Sequence, residues 1–339
     1  MKNTQKIKKQ HYVPQCYLQY FAKKNTQQVY VYDKRNRKSW CSAILDVAAE
    51  GYFYDLEFPN NLDDNVLGFL QSKNITVEQL KSDQTIEKHL AKHVEDRYAS
   101  LLSSLHNQYI ELNPWIAKNC FAITKKEKEE LSYCIITQMI RTRAIRDSMV
   151  DSADRLYQVL VDMGVDKERA EKYLLSESQA KNIQGAMLID KEKTWEMTML
   201  LNQLTWVFCL NRTSQPLYTS DNPIARKAHV KVPFLSMVGL KSPGVELSMP
   251  LSPNILLVMI DGDYHNLSRS IDRNWHPMNH QNVLHYNARC LSQSHRFIFS
   301  CIDNFDLLFE LEKSDPQILE SGLQSVTYWG EKTYKTRKR

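Results

Sequence analysis

The sequence predicts an α+β fold, in which segments from both ends of the chain form an antiparallel sheet beside a large central helical block. Strand patterns rich in β-branched and aromatic residues occupy 27–44 and recur after 211, whereas apolar residues at helical spacing dominate 85–210. This order of strands, helices and strands is typical of α+β folds. Because both strand regions can join one sheet, with the helical block inserted between them, we expect a single domain over residues 1–339.

The first strand is expected at 27–33, where the sequence is Gln-Gln-Val-Tyr-Val-Tyr-Asp. Residues 38–44 are expected to pair back onto it as a hairpin, through a polar turn at 34–37. Residues 56–84 are polar and contain the loop signal Pro59-Asn60-Asn61, so they predict an irregular connection.

The central block begins with a helix predicted over 85–107, where the apolar residues have helical spacing. Thr124-Lys125-Lys126-Glu127 is a capping box that opens a second helical pattern, which runs through Met149. Further helices are predicted at 150–163, 166–182 and 190–210.

After 211 the pattern returns to strands. Leu217–Thr219 predicts a strand that leads into Ser220-Asp221-Asn222-Pro223. Residues 246–251 and 254–261 predict a hairpin joined at Ser252-Pro253. A helix is expected at 277–293 and a last strand at 297–300.

The composition is that of an ordinary globular protein, with 42% hydrophobic and 24% charged residues and a net charge of +5. The basic residues concentrate in 1–10 and 331–339, which predicts two flexible basic termini. Such termini suit the phosphate backbone of DNA or RNA, which makes nucleic acid a candidate partner. The alternative is that they are solvated, frayed ends.

The seven cysteines show no C-x-x-C spacing, and several lie in apolar surroundings, which indicates reduced thiols. Residues 1–10 lack the apolar core of a signal peptide, and the longest apolar run, Ile255–Ile260, is too short to cross a membrane. We therefore expect a cytoplasmic protein with no membrane partner. The sequence does not indicate an oligomeric state.

Several standard motifs are absent from the sequence: the P-loop, G-x-G-x-x-G, G-x-S-x-G and the kinase set. Nucleotide hydrolysis, dinucleotide redox chemistry and α/β-hydrolase chemistry are therefore disfavoured. No nucleotide or redox cofactor is expected.

The segment His11-Tyr12-Val13-Pro14 places a titratable imidazole close to a proline with fixed φ and next to an amino-terminal group of lysines. A histidine in this setting can move a proton or bind an anion. The alternative is that its ring hydrogen-bonds a nearby backbone group and orders the amino-terminal arm.

Gln138 and Arg141 lie three residues apart on a predicted helix, so they share a face. The Arg141 guanidinium offers a planar fork for a carboxylate or a phosphate. The alternative is an ordinary ion pair with an acidic helix.

Asp221 follows a strand end and can bind a metal or orient His11, although it can equally form an Asx turn. Glu87 and Glu95 lie eight residues apart on one predicted helix, and each is either a metal carboxylate or a solvated charge. A divalent metal such as Mg²⁺ or Mn²⁺ is thus a candidate cofactor, with Asp221 and Glu87 as candidate ligands.

Histidines give only weak metal signals. His89 and His93 have the i, i+4 spacing of a helical metal pair but lack the glutamate of H-E-x-x-H. A second group is either a metal site or a polar face. It consists of His276, His280, His285 and His295.

Four segments together resemble one family, the bacterial HYVP-motif family called domain of unknown function 4238. They are His11–Gln15 with Tyr17, Leu18 and Phe21, then Gln138 with Arg141 and Thr142, then Thr219–Pro223, and finally Pro250–Asn254 followed by Asn287–Arg289. The resemblance spans about 8–300. Cys16 stands where an aromatic residue is expected, and Arg143 stands where the family often has proline.

The resemblance brings no established activity, but it implies that polar residues far apart in sequence converge at one site. These residues are His11, Gln138, Arg141, Asp221, Asn222 and Asn254. It also implies a bacterial defence role, including phage defence, or a toxin role.

These observations favour a hydrolase of the nuclease type that acts on nucleic acid. His11 is the candidate general acid or base, Arg141 the candidate for neutralising phosphate, and Asp221 the third catalytic candidate. The candidate substrate-binding residues are Gln15, Gln138, Asn222, Asn254 and Asn287. The alternative is a non-catalytic binding or sensing protein, whose polar residues form a structural network or a site for a small anion.

Overall fold

The computed structural model describes residues 6–57, 84–112, 120–230 and 238–314, with short stretches at 67–68, 71–72, 76, 316, 327–329 and 332–334. Most of the irregular segment expected at 56–84 lies outside the described residues, as do half of the terminus 1–10 and most of the terminus 331–339.

The strands are β1 (Lys9–His11), β2 (Gln28–Asp33), β3 (Lys38–Ala43), β4 (Ala49–Gly51), β5 (Thr205–Asn211), β6 (Thr219–Ser220), β7 (Ala225–Ala228), β8 (Val245–Ser252), β9 (Ile255–Ile260), β10 (Asn274–Met278), β11 (Phe297–Ser300), β12 (Thr327–Trp329) and β13 (Lys332–Tyr334). The α-helices are α1 (Gln15–Leu18), α2 (Thr85–His89), α3 (Asp96–Glu111), α4 (Lys125–Ile140), α5 (Arg143–Asp162), α6 (Lys167–Glu171), α7 (Glu177–Ile189), α8 (Lys191–Gln203), α9 (His280–Gln293) and α10 (Asp306–Ser314). A π-helix, Leu90–Glu95, joins α2 to α3.

The α+β fold class is confirmed. One sheet has the strand order β3-β2-β11-β6 and is antiparallel throughout, so it joins both ends of the chain as predicted. A second sheet, with the order β10-β5-β9-β8-β7, was not predicted. It comes entirely from the carboxy-terminal half and is antiparallel except for the parallel pair β10–β5. The predicted hairpin at 246–261 forms its centre as β8 and β9.

The helix predicted over 190–210 is wrong in its last third, because α8 ends at Gln203 and the chain continues as β5. Along β5, the buried residues Trp206, Phe208 and Leu210 alternate with half-buried ones. This alternation is the period of a strand with one face in the core. The aromatic and β-branched run Trp206-Val207-Phe208 also favours a strand over a helix.

Two predicted helices are interrupted. The capping box at Thr124 opens α4 as expected, but α4 ends at Ile140 and α5 starts at Arg143 after the extended residue Thr142. The helix predicted over 166–182 divides into α6 and α7, because Ser176 and Gln179 form a second capping box that starts a new helix.

Helix α4 carries the candidate site into the interior. Its last residues, from Cys134 to Ile140, are buried on all sides, which is typical of a core helix rather than a surface helix. Helices α3 and α8 pack against it. Because the end of α4 is enclosed, Gln138 and Arg141 must find their hydrogen-bond partners inside the protein. No helix of the described residues is both long and apolar enough to cross a membrane.

Candidate functional site

Arg141 lies at the centre of a buried polar cluster. Its guanidinium donates from Nε to the Tyr54 hydroxyl (2.9 Å) and from Nη2 to the His11 carbonyl oxygen (2.5 Å) and to Glu95 Oε1 (2.9 Å). The residue is 1% exposed. Tyr54 and the Glu95 charge hold the pKa of Arg141 high despite its burial. Arg141 thus connects strand β1, the segment after β4 and the π-helix.

His11 is the last residue of β1, which pairs with β4, and its side chain is buried. Burial lowers the pKa of His11, and the nearby Arg141 charge acts in the same direction. The charge of Glu95 and backbone groups of Ile44 and Leu45 oppose this effect. The imidazole is therefore mostly neutral at pH 7, and its Nε2 atom is buried without a hydrogen-bond partner in the described residues.

Glu87 lies on α2, one end of the helical segment that also carries Glu95. Burial raises the pKa of Glu87 to about 7, with the charges of Glu95 and Asp55 adding to the rise and Arg141 opposing it. Its Oε2 atom is buried and has no hydrogen-bond partner in the described part of the chain. A carboxyl group in this state holds a proton in a large fraction of molecules at neutral pH.

The π-helix explains how Glu95 reaches Arg141. A π-helical turn widens the helix by one residue, and such turns occur frequently at functional sites. Glu95 closes this turn and is 29% exposed at its side chain, so it forms the solvent edge of the cluster. The Cys16 thiol also lies against the Glu95 carbonyl oxygen, at 3.7 Å. This contact ties the amino-terminal segment to the same turn.

Gln138 shares the interior face of α4 with Arg141, as predicted from their spacing. Its Nε2 donates to the Tyr12 carbonyl oxygen at 3.0 Å. Its Oε1 atom, like Nη1 of Arg141, is buried without a hydrogen-bond partner among the described residues. We call His11, Tyr54, Glu87, Glu95, Gln138 and Arg141 the Arg141 cluster.

Four atoms of the Arg141 cluster are therefore buried and unpaired. They are His11 Nε2, Glu87 Oε2, Gln138 Oε1 and Arg141 Nη1. Buried polar groups in proteins are nearly always hydrogen-bonded, so unpaired ones concentrated in one place indicate a site for a further polar group. A neutral imidazole accepts a proton and a protonated carboxyl donates one, which is the pairing that acid–base catalysis uses.

Asp221 lies in different surroundings. Its Oδ1 accepts from the backbone N–H of His295 (2.9 Å), and its Oδ2 accepts from those of Arg296 and Phe297 (2.8 Å each). Burial raises the pKa of Asp221, while His295 and these backbone groups oppose the rise. We call Asp221 with His295–Phe297 the Asp221 turn. Its carboxylate is fully engaged with the backbone.

The expected convergence of His11, Arg141 and Asp221 is thus only partly met. No hydrogen bond of the described residues joins Asp221 to His11 or Arg141. Asp221 instead lies near the Tyr12 phenol, whose pKa its charge helps to raise after burial. Asp221 does not form the Asx turn that the sequence offered as the alternative. The side chain that accepts from the backbone here is the Ser220 hydroxyl, which lies 3.1 Å from the Asn222 nitrogen.

The candidate substrate-binding residues other than Gln138 have structural contacts or lie at the surface. Asn222 donates to the Gln293 carbonyl oxygen (2.9 Å). Asn287 accepts from the Tyr218 N–H (2.8 Å) and donates to the Pro216 carbonyl oxygen (2.9 Å). Asn254 accepts at its backbone from the Asn211 N–H (2.8 Å). Gln15 is exposed at the first position of α1.

Tyr17 joins three of the four segments that carry the family resemblance. Its buried hydroxyl lies 2.6 Å from Thr219 Oγ1 and donates to the Pro250 carbonyl oxygen at 2.5 Å. These segments do meet, but they meet at a packed core position and not at an open cleft.

The structure does not bring the two predicted metal ligands, Glu87 and Asp221, together. The described residues contain no group of three or more His, Cys, Asp or Glu side chains placed to hold a metal ion. Glu87 and Asp221 belong to separate neighbourhoods. The rings of His89 and His93 lie side by side, with their centroids 5.2 Å apart, and His89 bonds Tyr133 (3.3 Å). Of the second histidine group, His295 bonds Asp147 (2.8 Å) and His285 bonds Arg289 (2.7 Å).

Sequence reasoning missed Tyr54 and the role of Glu95 as partners of Arg141. No local pattern indicates Tyr54, because it contacts Arg141 across 87 residues of sequence. The sequence indicates Glu95 only as a metal carboxylate or a solvated charge. Helical spacing on a regular α-helix does not include the extra residue of the π-helix, so the side-chain direction of Glu95 was not predictable from it.

One comparison with known proteins gives a match. A family model described as protein of unknown function (DUF4238) matches residues 9–304. No curated protein and no solved structure matches the chain.

Proposed function

The chain belongs to the family described as protein of unknown function (DUF4238), and on this premise we propose that it is a hydrolase that cleaves phosphodiester bonds of nucleic acid at the Arg141 cluster. One observation carries the proposal: His11 and Glu87, whose pKa values burial shifts in opposite directions, share Arg141 and Glu95 as electrostatic neighbours. Environments that separate the protonation states of two neighbouring groups are typical of an acid–base pair.

In the proposed reaction, the neutral imidazole of His11 takes a proton from the attacking water through Nε2. The protonated carboxyl of Glu87 gives its proton to the leaving oxygen as the P–O bond breaks. Arg141 Nη1 donates a hydrogen bond to the phosphoryl oxygen on which charge develops. Each of these atoms is a buried, unpaired one, so no existing bond must break first.

The burial of the cluster restricts the form of the substrate. Arg141 and His11 are almost entirely enclosed, and Glu95 forms the accessible edge. A stacked duplex presents its phosphates on a rigid surface, whereas a single strand can turn one nucleotide inward. We therefore propose single-stranded DNA or RNA as the preferred substrate, held in addition by the basic termini. A cytoplasmic location and a bacterial defence or toxin role belong to the same proposal.

The test incubates the purified chain with single-stranded DNA, RNA and plasmid, in Mg²⁺, Mn²⁺ or EDTA. We expect His11→Ala and Glu87→Gln each to lower the cleavage rate about 10²–10⁴-fold while both variants remain folded, as circular dichroism would show. The matched controls are the exposed residues His280→Ala and Glu168→Gln, which should cleave like the unchanged chain. Retained cleavage in both cluster variants would place the chemistry elsewhere.

The pH dependence gives a second readout. Because the reaction needs His11 neutral and Glu87 protonated, the rate should fall below the lowered pKa of His11 and also above pH about 7, where Glu87 ionises. Loss of cleavage in EDTA, restored by Mg²⁺ or Mn²⁺, would instead support the divalent cofactor.

A second candidate is a non-catalytic binding or sensing protein. The observation that favours it is the engagement of Arg141 with Tyr54, His11 and Glu95, since a guanidinium with three partners also serves as a structural anchor. This candidate is supported if the unchanged chain cleaves none of the nucleic acids and if Arg141→Ala, which removes all three bonds, unfolds it.

A further inference from the structure

A cavity of about 560 Å³ lies beside the end of α4, and neither Gln138 nor Arg141 lines it. The side chains around it come from α4, α5, α7, α8, β7 and the segment 239–243, and most of them are apolar. Three of them are methionines, Met139, Met187 and Met197. Methionine side chains adapt their shape to apolar ligands, so they suit a binding wall better than a fixed core.

Arg226 is the exception in this lining. Its backbone is fixed on β7 by the Gln293 side chain, which accepts from the Arg226 N–H (2.7 Å) and donates to its carbonyl oxygen. Its guanidinium forms no hydrogen bond or ion pair with the described part of the chain. Burial alone lowers the pKa of Arg226, with no carboxylate acting against it. A largely buried guanidinium without an anion is costly, so the position indicates an anionic partner.

We propose that this cavity binds a small amphipathic carboxylate, with its apolar chain against the methionines and its carboxylate on the Arg226 guanidinium. The cavity has the size of sites that take small ligands, and such sites combine an apolar wall with a few polar groups that fix the orientation. Arg226 can form a bidentate pair with a carboxylate. Lys241, exposed at the rim, adds a second positive charge.

The two sites are separable by experiment. Met139 and Ile140 line the cavity, whereas Gln138 and Arg141 bond the backbone of Tyr12 and His11. The cavity chemistry therefore requires neither His11 nor Glu87. Failure of the carboxylate to bind would leave the proposed hydrolase unaffected, and the reverse also holds.

The test measures binding of three chain-matched probes to the full chain by isothermal titration calorimetry, below their micelle concentrations. The probes are decanoate, decanol and decyltrimethylammonium. We expect saturable binding of decanoate at one site, binding of decanol weaker by about tenfold or more, and none of the cation, because only the carboxylate gains a charge-assisted bond. Equal binding of all three probes, or no binding of decanoate, would overturn the proposal.

Variants assign the site. Arg226→Gln should weaken decanoate binding about 10- to 100-fold, whereas Arg226→Lys keeps the charge and should weaken it less. Met197→Trp keeps Arg226 but fills the cavity, so it should abolish binding. Arg169→Gln, at an exposed arginine outside the cavity, is the matched control. If Arg226→Gln fails to fold, the comparison of Arg226→Lys with Met197→Trp decides, and unchanged affinity in Met197→Trp would refute the site.

Discussion

The Arg141 cluster and the Asp221 turn are both built on a buried charge from the segments of the family resemblance, yet the two charges are satisfied differently. Both oxygens of Asp221 accept bonds from three backbone N–H groups of His295–Phe297. In the Arg141 cluster, atoms of His11, Glu87 and Arg141 remain unpaired. A fully satisfied buried charge fixes the backbone around it, whereas a partly satisfied charge keeps atoms that can bond a ligand.

Glu246 supports this distinction. It is buried like Asp221 and is bonded by His229 (2.7 Å), Tyr286 (3.1 Å) and Arg289. These partners, Arg289 above all, hold the pKa of Glu246 below its usual range despite burial. A carboxylate with three partners behaves as a structural group. We therefore place Glu246 with Asp221 rather than with Glu87.

The largest expected effect is at the Asp221 turn. Asp221→Ala removes the acceptor of three buried backbone N–H groups, so it should lower the free energy of unfolding by about 3–5 kcal/mol. Asp221→Asn keeps one acceptor oxygen and should cost less. Urea denaturation followed by circular dichroism measures both.

The matched control is Asp303→Ala, at an exposed aspartate, which should stay within about 0.5 kcal/mol of the unchanged chain. If Asp221→Ala folds with nearly full stability but loses cleavage of nucleic acid, the Asp221 turn is not merely structural. Asp221 then has the catalytic role that the sequence suggested.

The sequence was sufficient for features that depend on neighbouring residues. The capping box at Thr124, the hairpin at Ser252-Pro253 and the shared face of Gln138 and Arg141 all depend on spacings of a few residues, and the structure has all three. It was insufficient where two local patterns compete. The apolar residues of 205–211 fit a helix or a strand, and pairing with β9 and β10 decided for the strand.

The roles of the charged residues could not be predicted for a different reason. Whether Asp221 faces a ligand or backbone N–H groups depends on the position of His295, 74 residues further along the chain. Likewise, the raised pKa of Glu87 depends on burial and on Asp55 and Glu95, whose positions come from the tertiary fold. Residue type and spacing thus identified candidates, and only their surroundings separate the two kinds of site.

An intermediate effect on stability is expected when a change of pH ionises Glu87. Its pKa is raised from 4.5 to about 7 in the folded protein, so the folded state retains a proton that the unfolded state has lost. The stabilising effect of this proton is complete below pH 4.5 and is lost as the pH rises through about 7. The free energy of unfolding of Glu87→Gln, taken relative to that of the unchanged chain, should therefore rise by about 2 kcal/mol when the pH is raised from 5 to 8.

Urea denaturation at both pH values measures this difference, with the exposed Glu168→Gln as the control that should show none. A Glu87→Gln variant whose relative stability is independent of pH would mean that Glu87 ionises normally. The Arg141 cluster would then contain no protonated carboxyl group that could act as the acid at neutral pH.

The smallest effect is expected at Arg143, which connects the two regions. Arg143 bonds Asp147 (2.9 Å) and Glu50 (3.3 Å), and Asp147 in turn bonds His295 beside Asp221. It is the first residue of α5 and follows the extended Thr142, which is the geometry that proline accepts at a helix start. Arg143→Pro should therefore lose only its ion pairs, about 1 kcal/mol or less, and should match Arg143→Gln.

Ser148→Pro, five residues further into α5, is the contrasting variant and should cost about 3 kcal/mol or more, because it breaks the helix interior. The small loss in Arg143→Pro should also shrink at high salt, since these ion pairs are partly exposed. If Arg143→Pro lowers the free energy of unfolding as much as Ser148→Pro does, the break between α4 and α5 depends on the Arg143 side chain. The link between the Arg141 cluster and the Asp221 turn would then depend on side-chain charge and not on backbone geometry.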